Sequence, residues 1–305
     1  MRRVMVAAAV AMVLGVTGCL TPLTSQPPLS QVPVPKVPLV GVYEQGAPNS
    51  WDPISEFTDA SGVAPRIVVY YSAWNNPFST AFADTAWDHD AYVLVQLQPG
   101  GVSLASIVAG DSDGYMRSYA DAVVAFGHPV ILSFGHEMNG TWYSWGEGHT
   151  PPATFVAAWR HVVRVFRGAG AANVSWLWTV NSINGASSSL SQWWPGAKWV
   201  DWTGVDGYYF RATDTFSSVF GPTIADIREI SSAPLLIAET AVGTTANRES
   251  QIDGLFAGVR SERLAGVVWF DKAQHAGLYH QDWRLENDRS ALAAFRAAAA
   301  GVSGT

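Results

Sequence analysis

Residues 130–140 read Val-Ile-Leu-Ser-Phe-Gly-His-Glu-Met-Asn-Gly, and residues 235–239 read Leu-Leu-Ile-Ala-Glu. Each is a short, almost unbroken apolar run that ends in residues able to do chemistry. A run of that length without polar alternation suits a strand buried on both faces, as in a parallel sheet covered by helices. The same unit recurs at 39–43, 67–72, 92–96, 174–179, 202–205 and 266–270, which with the two quoted makes eight. Amphipathic stretches lie between them, clearest at 115–126, 153–167, 248–260 and 290–300, and Gly127 and Gly168 stand where helices should stop. Eight such units predict an α/β protein built as a single (β/α)8 TIM barrel over residues 39–305, rather than a doubly wound sheet.

In a barrel of this kind the reactive groups sit where strands end and loops begin, at the carboxyl face. The residues there are His136 and Glu137 after the fourth run, Asn181 after the fifth, Asp206 and Tyr208 after the sixth, Glu239 after the seventh, and Trp269 and Asp271 at the eighth. Glu137 and Glu239 lie three strands apart and are expected to project into one cleft. His136-Glu137 opens like a zinc-protease motif, but the second His would fall at position 140, which is Gly, so no metal is expected. Gly110-Asp111-Ser112-Asp113-Gly114 spells a nucleophile elbow, yet its Asp and Ser are more simply the capping residues of the next helix.

Composition narrows the partners. The chain has 305 residues, 48% hydrophobic and 14% charged, and its 25 acidic residues outnumber 18 basic ones for a formal charge of −7. Such a balance excludes a protein organised around phosphate contacts, so nucleic acid is not an expected partner. One cysteine excludes an internal disulfide framework. Aromatic residues crowd the loops at Trp74, Trp142, Trp145, Trp193, Trp194, Tyr208, Tyr209 and Trp269, whereas Trp176, Trp178 and Trp199 read as core. Pyranose rings lie flat on aromatic faces while their hydroxyls seek polar groups, so Trp142 and Trp145 are expected to be sugar platforms. Few charges, many aromatics and two carboxylates suit a neutral polysaccharide.

The amino end reads as a signal for export. Arg2 and Arg3 precede an apolar run too short to span a bilayer, and Val16-Thr17-Gly18-Cys19 resembles the lipobox of bacterial lipoproteins. Residues 1–18 are therefore expected to be a signal peptide, with a lipid attached at Cys19 and the protein held to the outer face of a bacterial cell membrane. Residues 19–38 carry Pro22, Pro27, Pro28, Pro33, Pro35 and Pro38 with no apolar periodicity, and read as an extended tether.

The chain resembles glycoside hydrolase family 26, the family of β-mannanases with relatives acting on mixed-linkage β-glucan and β-1,3-xylan. The resemblance rests on His136-Glu137-Met138-Asn139-Gly140 with Trp142-Tyr143, on Val205-Asp206-Gly207-Tyr208, on Ile237-Ala238-Glu239 and on Asp282-Trp283-Arg284-Leu285. It implies a retaining glycosidase with no cofactor, in which Glu137 is the general acid/base and Glu239 the nucleophile. His136, Asp206, Tyr208 and Trp269 would line the subsite of the sugar under attack. Two departures bear on the glycan: Ile131-Leu132-Ser133-Phe134 lacks the Arg common in the family's mannanases, and Phe270 and Asp271 follow Trp269 where a basic residue would bind the next sugar. The expected function is endo-cleavage of β-1,4-mannan or glucomannan by a monomer. The alternatives are a mixed-linkage glucanase, a hydrolase of a bacterial exopolysaccharide, and a non-catalytic lipid-anchored glycan-binding protein.

Overall fold

A computed structural model of the chain describes residues 28–183, 189–273 and 281–303. The strands β1 (Leu39–Pro48), β2 (Ile67–Ala73), β3 (Tyr92–Gln98), β4 (Val130–Phe134), β5 (Val174–Asn181), β6 (Trp202–Asp206), β7 (Leu235–Thr240) and β8 (Gly266–Asp271) close into one barrel in sequence order. Every neighbouring pair is parallel, including β1 with β8. All eight expected strands are present.

Strand alternation separates two apolar shells. Ile67, Val69, Leu94, Ile131, Leu177, Trp202, Leu236, Ala238 and Val268 fill the lumen, while the residues between them pack outward against the helices. The outer layer consists of α1 (Asp52–Ser61), α2 (Thr80–Asp88), α3 (Leu104–Ala109), α4 (Asp113–Phe126), α5 (Pro152–Gly168), α6 (Phe216–Ile230), α7 (Arg248–Ser261) and α8 (Arg289–Ser303). Helix α5 shows why such stretches fold and dock. Its buried residues Phe155, Ala158, Trp159, Val162, Val163 and Phe166 recur at three and four, the spacing of one helical face. The letters of the nucleophile elbow run from the C-cap of α3 into the first turn of α4, with no strand before them, and Ser112 takes the N-cap position of α4 without a side-chain cap bond.

The alternation of strand and helix is less regular than the sequence pattern suggests. Two helices follow β3, whereas the described part of the β5–β6 connection carries only the 3-10 turns Leu190–Trp193 and Ala197–Trp199. Indole and guanidinium groups of α5 hold that connection: Trp159 Nε1 donates to the Trp199 carbonyl at 3.0 Å and Arg160 Nε to that of Pro195 at 2.8 Å.

The expected tether needs correction in its described part. Gln31 Nε2 donates to the Val174 carbonyl at 2.8 Å and to Asp201 at 2.9 Å, and the Val32 amide donates to Ser175 Oγ at 3.0 Å. Val32 itself is buried in the lumen cluster, at the base of the barrel. With no helical or strand period, proline-rich sequence hid a single apolar side chain that plugs the barrel. The expected signal peptide and Cys19 lie outside the described residues.

Candidate active site

Glu239 reaches the lumen because β7 carries an extra residue. Its neighbour Ala238 faces inward, so strict alternation would turn Glu239 out, but the register slips between Ile237 and Thr240 against both flanking strands. A bulge of this kind re-aims a side chain. The carboxylate accepts from Tyr208 at Oε1 and from Tyr71 at Oε2.

Glu137 stands three residues past β4 with a left-handed backbone, φ +53°, a conformation that costs a non-glycine residue free energy. Surrounding bonds hold it there. Its amide donates to the Thr179 carbonyl at 3.0 Å, its carbonyl accepts from Gly140 at 2.9 Å, and Trp145 Nε1 fixes the His136 carbonyl at 2.9 Å. Asn139 clasps the next strand in both directions, donating to the Asn181 carbonyl and accepting from its amide, each at 2.8 Å. Trp142 Nε1 donates to Glu137 Oε2 at 2.8 Å, with its ring laid on Gly140 so closely that a Cβ there would meet it at 2.3 Å.

The electrostatics divide the two glutamates. Burial, then the charge of Glu239, pushes Glu137 up to about 8, against one opposing bond from Trp142. Burial also raises Glu239, and the two tyrosyl donors and then the charge of Lys272 offset only part of that rise. Tyr71 and Tyr208 are pushed well above the ordinary phenol value by burial and by Glu239, so they remain donors. Two phenolic donors on Glu239 against one indole donor on Glu137 favour the charge on Glu239 and the proton on Glu137. Burial pushes His136 down to about 3, leaving a neutral ring whose Nε2 lies 3.2 Å from the Tyr143 hydroxyl. Asp206 is fully buried, and burial followed by the charges of Glu239 and Glu137 drives it well above the usual carboxylate range.

The structure thus brings together Glu137, Glu239, His136, Asp206, Tyr208 and Trp142, and does not bring Trp269 and Trp145 to the cleft surface. Trp269 points outward, its ring 5.5 Å from Phe295 of α8 and its nitrogen donating to Asp271 and to the Trp283 carbonyl, both at 3.0 Å. Val268 faces the lumen, so its second neighbour Phe270 does too. Phe270 stacks on Tyr43 with centroids 4.6 Å apart and lies 5.9 Å from Tyr208. Trp145 is 4% exposed, sandwiched on Tyr143 at 4.2 Å, which leaves no face for a ligand. Trp74, Trp193 and Tyr209 are likewise core residues, whereas Trp142 is 53% exposed. Sequence reading passed over Tyr71 and Phe270, yet inward parity from Val69 and from Val268 marks both.

Residues 63–293 match the sequence profile of glycosyl hydrolase family 26. The chain belongs to glycosyl hydrolase family 26. This family 26 chain is 30% identical over 270 residues to Endoglucanase H of Acetivibrio thermocellus, an alignment covering 83% of this chain and 29% of that protein. It is 25% identical over 211 residues to a mannan endo-1,4-β-mannosidase of Bifidobacterium adolescentis, covering 65% and 20%. A β-1,3-xylanase of a Vibrio species is 29% identical over 176 residues, covering 53% and 37%. The family 26 chain thus spans well under half the length of these relatives. Its fold is shared by the catalytic domain of an endo-β-1,4-mannanase from Bacillus sp. JAMB-750, with a TM-score of 0.67 at 16% identity, covering 86% of this chain and 85% of that one.

Proposed function

We propose that the protein is a retaining endo-glycosidase of neutral β-linked polysaccharides, with β-1,4-mannan or glucomannan as its substrate. The observation that carries this reading is the asymmetry of the two glutamates: Glu239 accepts from two phenols, whereas Glu137 accepts from one indole and is pushed up to about 8 by burial and then by Glu239. In a retaining reaction Glu239 attacks the anomeric carbon as Glu137 gives its proton to the departing oxygen, and a glycosyl ester forms on Glu239. Forming that ester removes the charge that had raised Glu137. Glu137, already ionised by that donation, takes a proton from water as the water oxygen attacks the anomeric carbon, and the ester bond to Glu239 breaks, freeing the sugar with its configuration kept and returning the charge to Glu239. Phe270 and Trp142 offer apolar faces to the sugar rings on either side of the cut bond.

A second substrate class, β-glucan, of which the mixed-linkage form is the alternative, is supported by the endoglucanase relative, whose alignment covers most of this chain. Product analysis on mannan, glucomannan, lichenan, cellulose and β-1,3-xylan separates the two. On the preferred glycan, Glu239→Ala should abolish turnover and regain it with azide, giving a product of inverted configuration. Glu137→Ala should keep activity only on aryl glycosides with good leaving groups, which need little proton donation. Loss of every substrate in both variants, with no response to azide, would contradict the retaining mechanism.

The protein's place in the cell is part of the same proposal: export followed by lipid attachment at Cys19, on the outer face of the membrane. The basic start and the Val16-Thr17-Gly18-Cys19 sequence support it. Cys19→Ala is expected to move the protein from the membrane fraction to the soluble fraction, and an unchanged distribution would refute the anchor.

A further inference from the structure

Toward its mouth the lumen changes from apolar to polar. Climbing each strand, the inward side chains run Leu94 then Gln96 on β3, Ile131 then Ser133 on β4, Leu177 then Thr179 on β5, Trp202, Gly204 and Asp206 on β6, and Leu236 then Ala238 on β7. In register, Gln96 lies between Tyr71 and Ser133, and Thr179 lies beside Gly204. Ser133 Oγ donates to Thr179 Oγ1 at 3.2 Å. Gln96 and Asp206 are both 0% exposed, yet neither amide atom of Gln96 and neither oxygen of Asp206 has a hydrogen-bond partner among the described residues. Gly204 and Ala238 add little bulk around them.

Buried amides and carboxyls are, as a rule, hydrogen-bonded. We infer that this layer is a binding site for water, held between the Gln96 amide, the Ser133 and Thr179 hydroxyls and the Asp206 carboxyl, directly beneath the reacting glutamates. Water is the ligand that fits the donor set. Gln96 Nε2 needs an acceptor and the Asp206 oxygens need donors, and water can be either, whereas a cation would serve the oxygens and leave the amide nitrogen unmet. Gln96 is thereby a positioning residue. By holding water against Asp206 it opposes the burial and the charges of Glu239 of β7 and Glu137 after β4 that drive that carboxyl up, and so favours its ionised form, whose charge acts on Tyr71 of β2 and Tyr143 and, in return, on the two glutamates, with Lys272 opposing at Glu239. The kinetic consequence rests on the reading of Glu137 as the acid.

The test pairs a high-resolution crystal structure of the full chain with the pH profile of kcat/KM. The wild-type lumen should show discrete density within hydrogen-bonding distance of both Gln96 and Asp206, and Gln96→Met should lose it. Without those donors Asp206 takes up a proton and its repulsion of Glu137 is relieved. The alkaline limb of the profile then moves to lower pH by about one unit, the low end of what a neighbouring charge does. Thr179→Val, which keeps the shape and removes a hydroxyl, should move the limb the same way if Gln96→Met fails to fold. A wild-type lumen without density, or a Gln96→Met enzyme that melts higher with its alkaline limb unmoved, overturns the site. Inactivity of the wild type on every glycan would sink the proposed function while leaving the crystallographic result to stand.

Discussion

Trp142 joins two tasks that are usually given to different side chains. Its exposed ring is the face the proposed function gives to a sugar, and its nitrogen donates to Glu137 and holds that carboxyl below where burial alone would set it. Trp142→Phe keeps an aromatic face and deletes the donor. The proton should then leave Glu137 at higher pH, so the alkaline limb of kcat/KM is expected to move up, opposite in sign to the Gln96 effect. A limb that stays in place would mean that the bond does not act on the acid. The same residue shows how far the site was legible. His136, Glu137, Asp206, Tyr208 and Glu239 could be found because each follows an apolar run, and position relative to a strand end is written in the sequence. Burial is not written there. Trp145 and Trp269 carry the same rings as Trp142, and only the packing of Tyr143 on the one and of α8 on the other decides that they are walls and not platforms.

At the level of elements, the loops after β7 and β8 are tied by Arg248, a guanidinium buried in the first turn of α7. It donates to the carbonyls of Val242, Trp283 and Arg284 and pairs with Asp288 at 3.3 Å. Trp283, so held, packs on Tyr208 with centroids 4.8 Å apart, which links a helix start to the donor on Glu239. The β1–β8 seam carries a second buried acidic pair. Glu44 and Asp271 are register partners, and Asp271 also accepts from Trp269 and from the Leu285 amide. Burial, then Asp271, pushes Glu44 up to about 10, and burial, then Glu286, pushes Asp271 up to about 8. From the usual value of 3.8 to about 8, the folded chain therefore keeps a proton that the unfolded chain has released, and stability falls as pH rises through that window. Asp271→Asn preserves an acceptor for Trp269 and Leu285 and removes one titrating carboxyl. Its denaturant midpoint is expected to fall less steeply across the window than that of the wild type; an identical slope would place the coupling elsewhere. Strand parity predicts that Glu44 and Asp271 share an outward face, but the bulge in β7 has no sequence signature, and it alone accounts for Glu239 facing the lumen beside an inward Ala238.

For the molecule as a whole, the eightfold run of apolar segments was enough to specify a closed barrel, since each segment must bury both faces and only closure removes the edges. The exception was the stretch before β1. Its prolines argued for a free spacer, while one valine and one glutamine in it are fastened to the underside of the sheet. Removing residues 1–34 takes Val32 out of the lumen and should cost about 2 kcal/mol, the worth of one buried aliphatic side chain, read as a lower melting temperature beside a chain starting at residue 28. Equal melting temperatures would show that the plug is ornamental. The fastening also gives the particle a front and a back. Gln31 and Val32 are fastened at the strands' amino ends, while Glu137 and Glu239 open at their carboxyl ends. Under the proposed attachment at Cys19, a handle fixed at the rear would keep the blade clear, so that a long polymer could lie across the front without competing for space with the membrane.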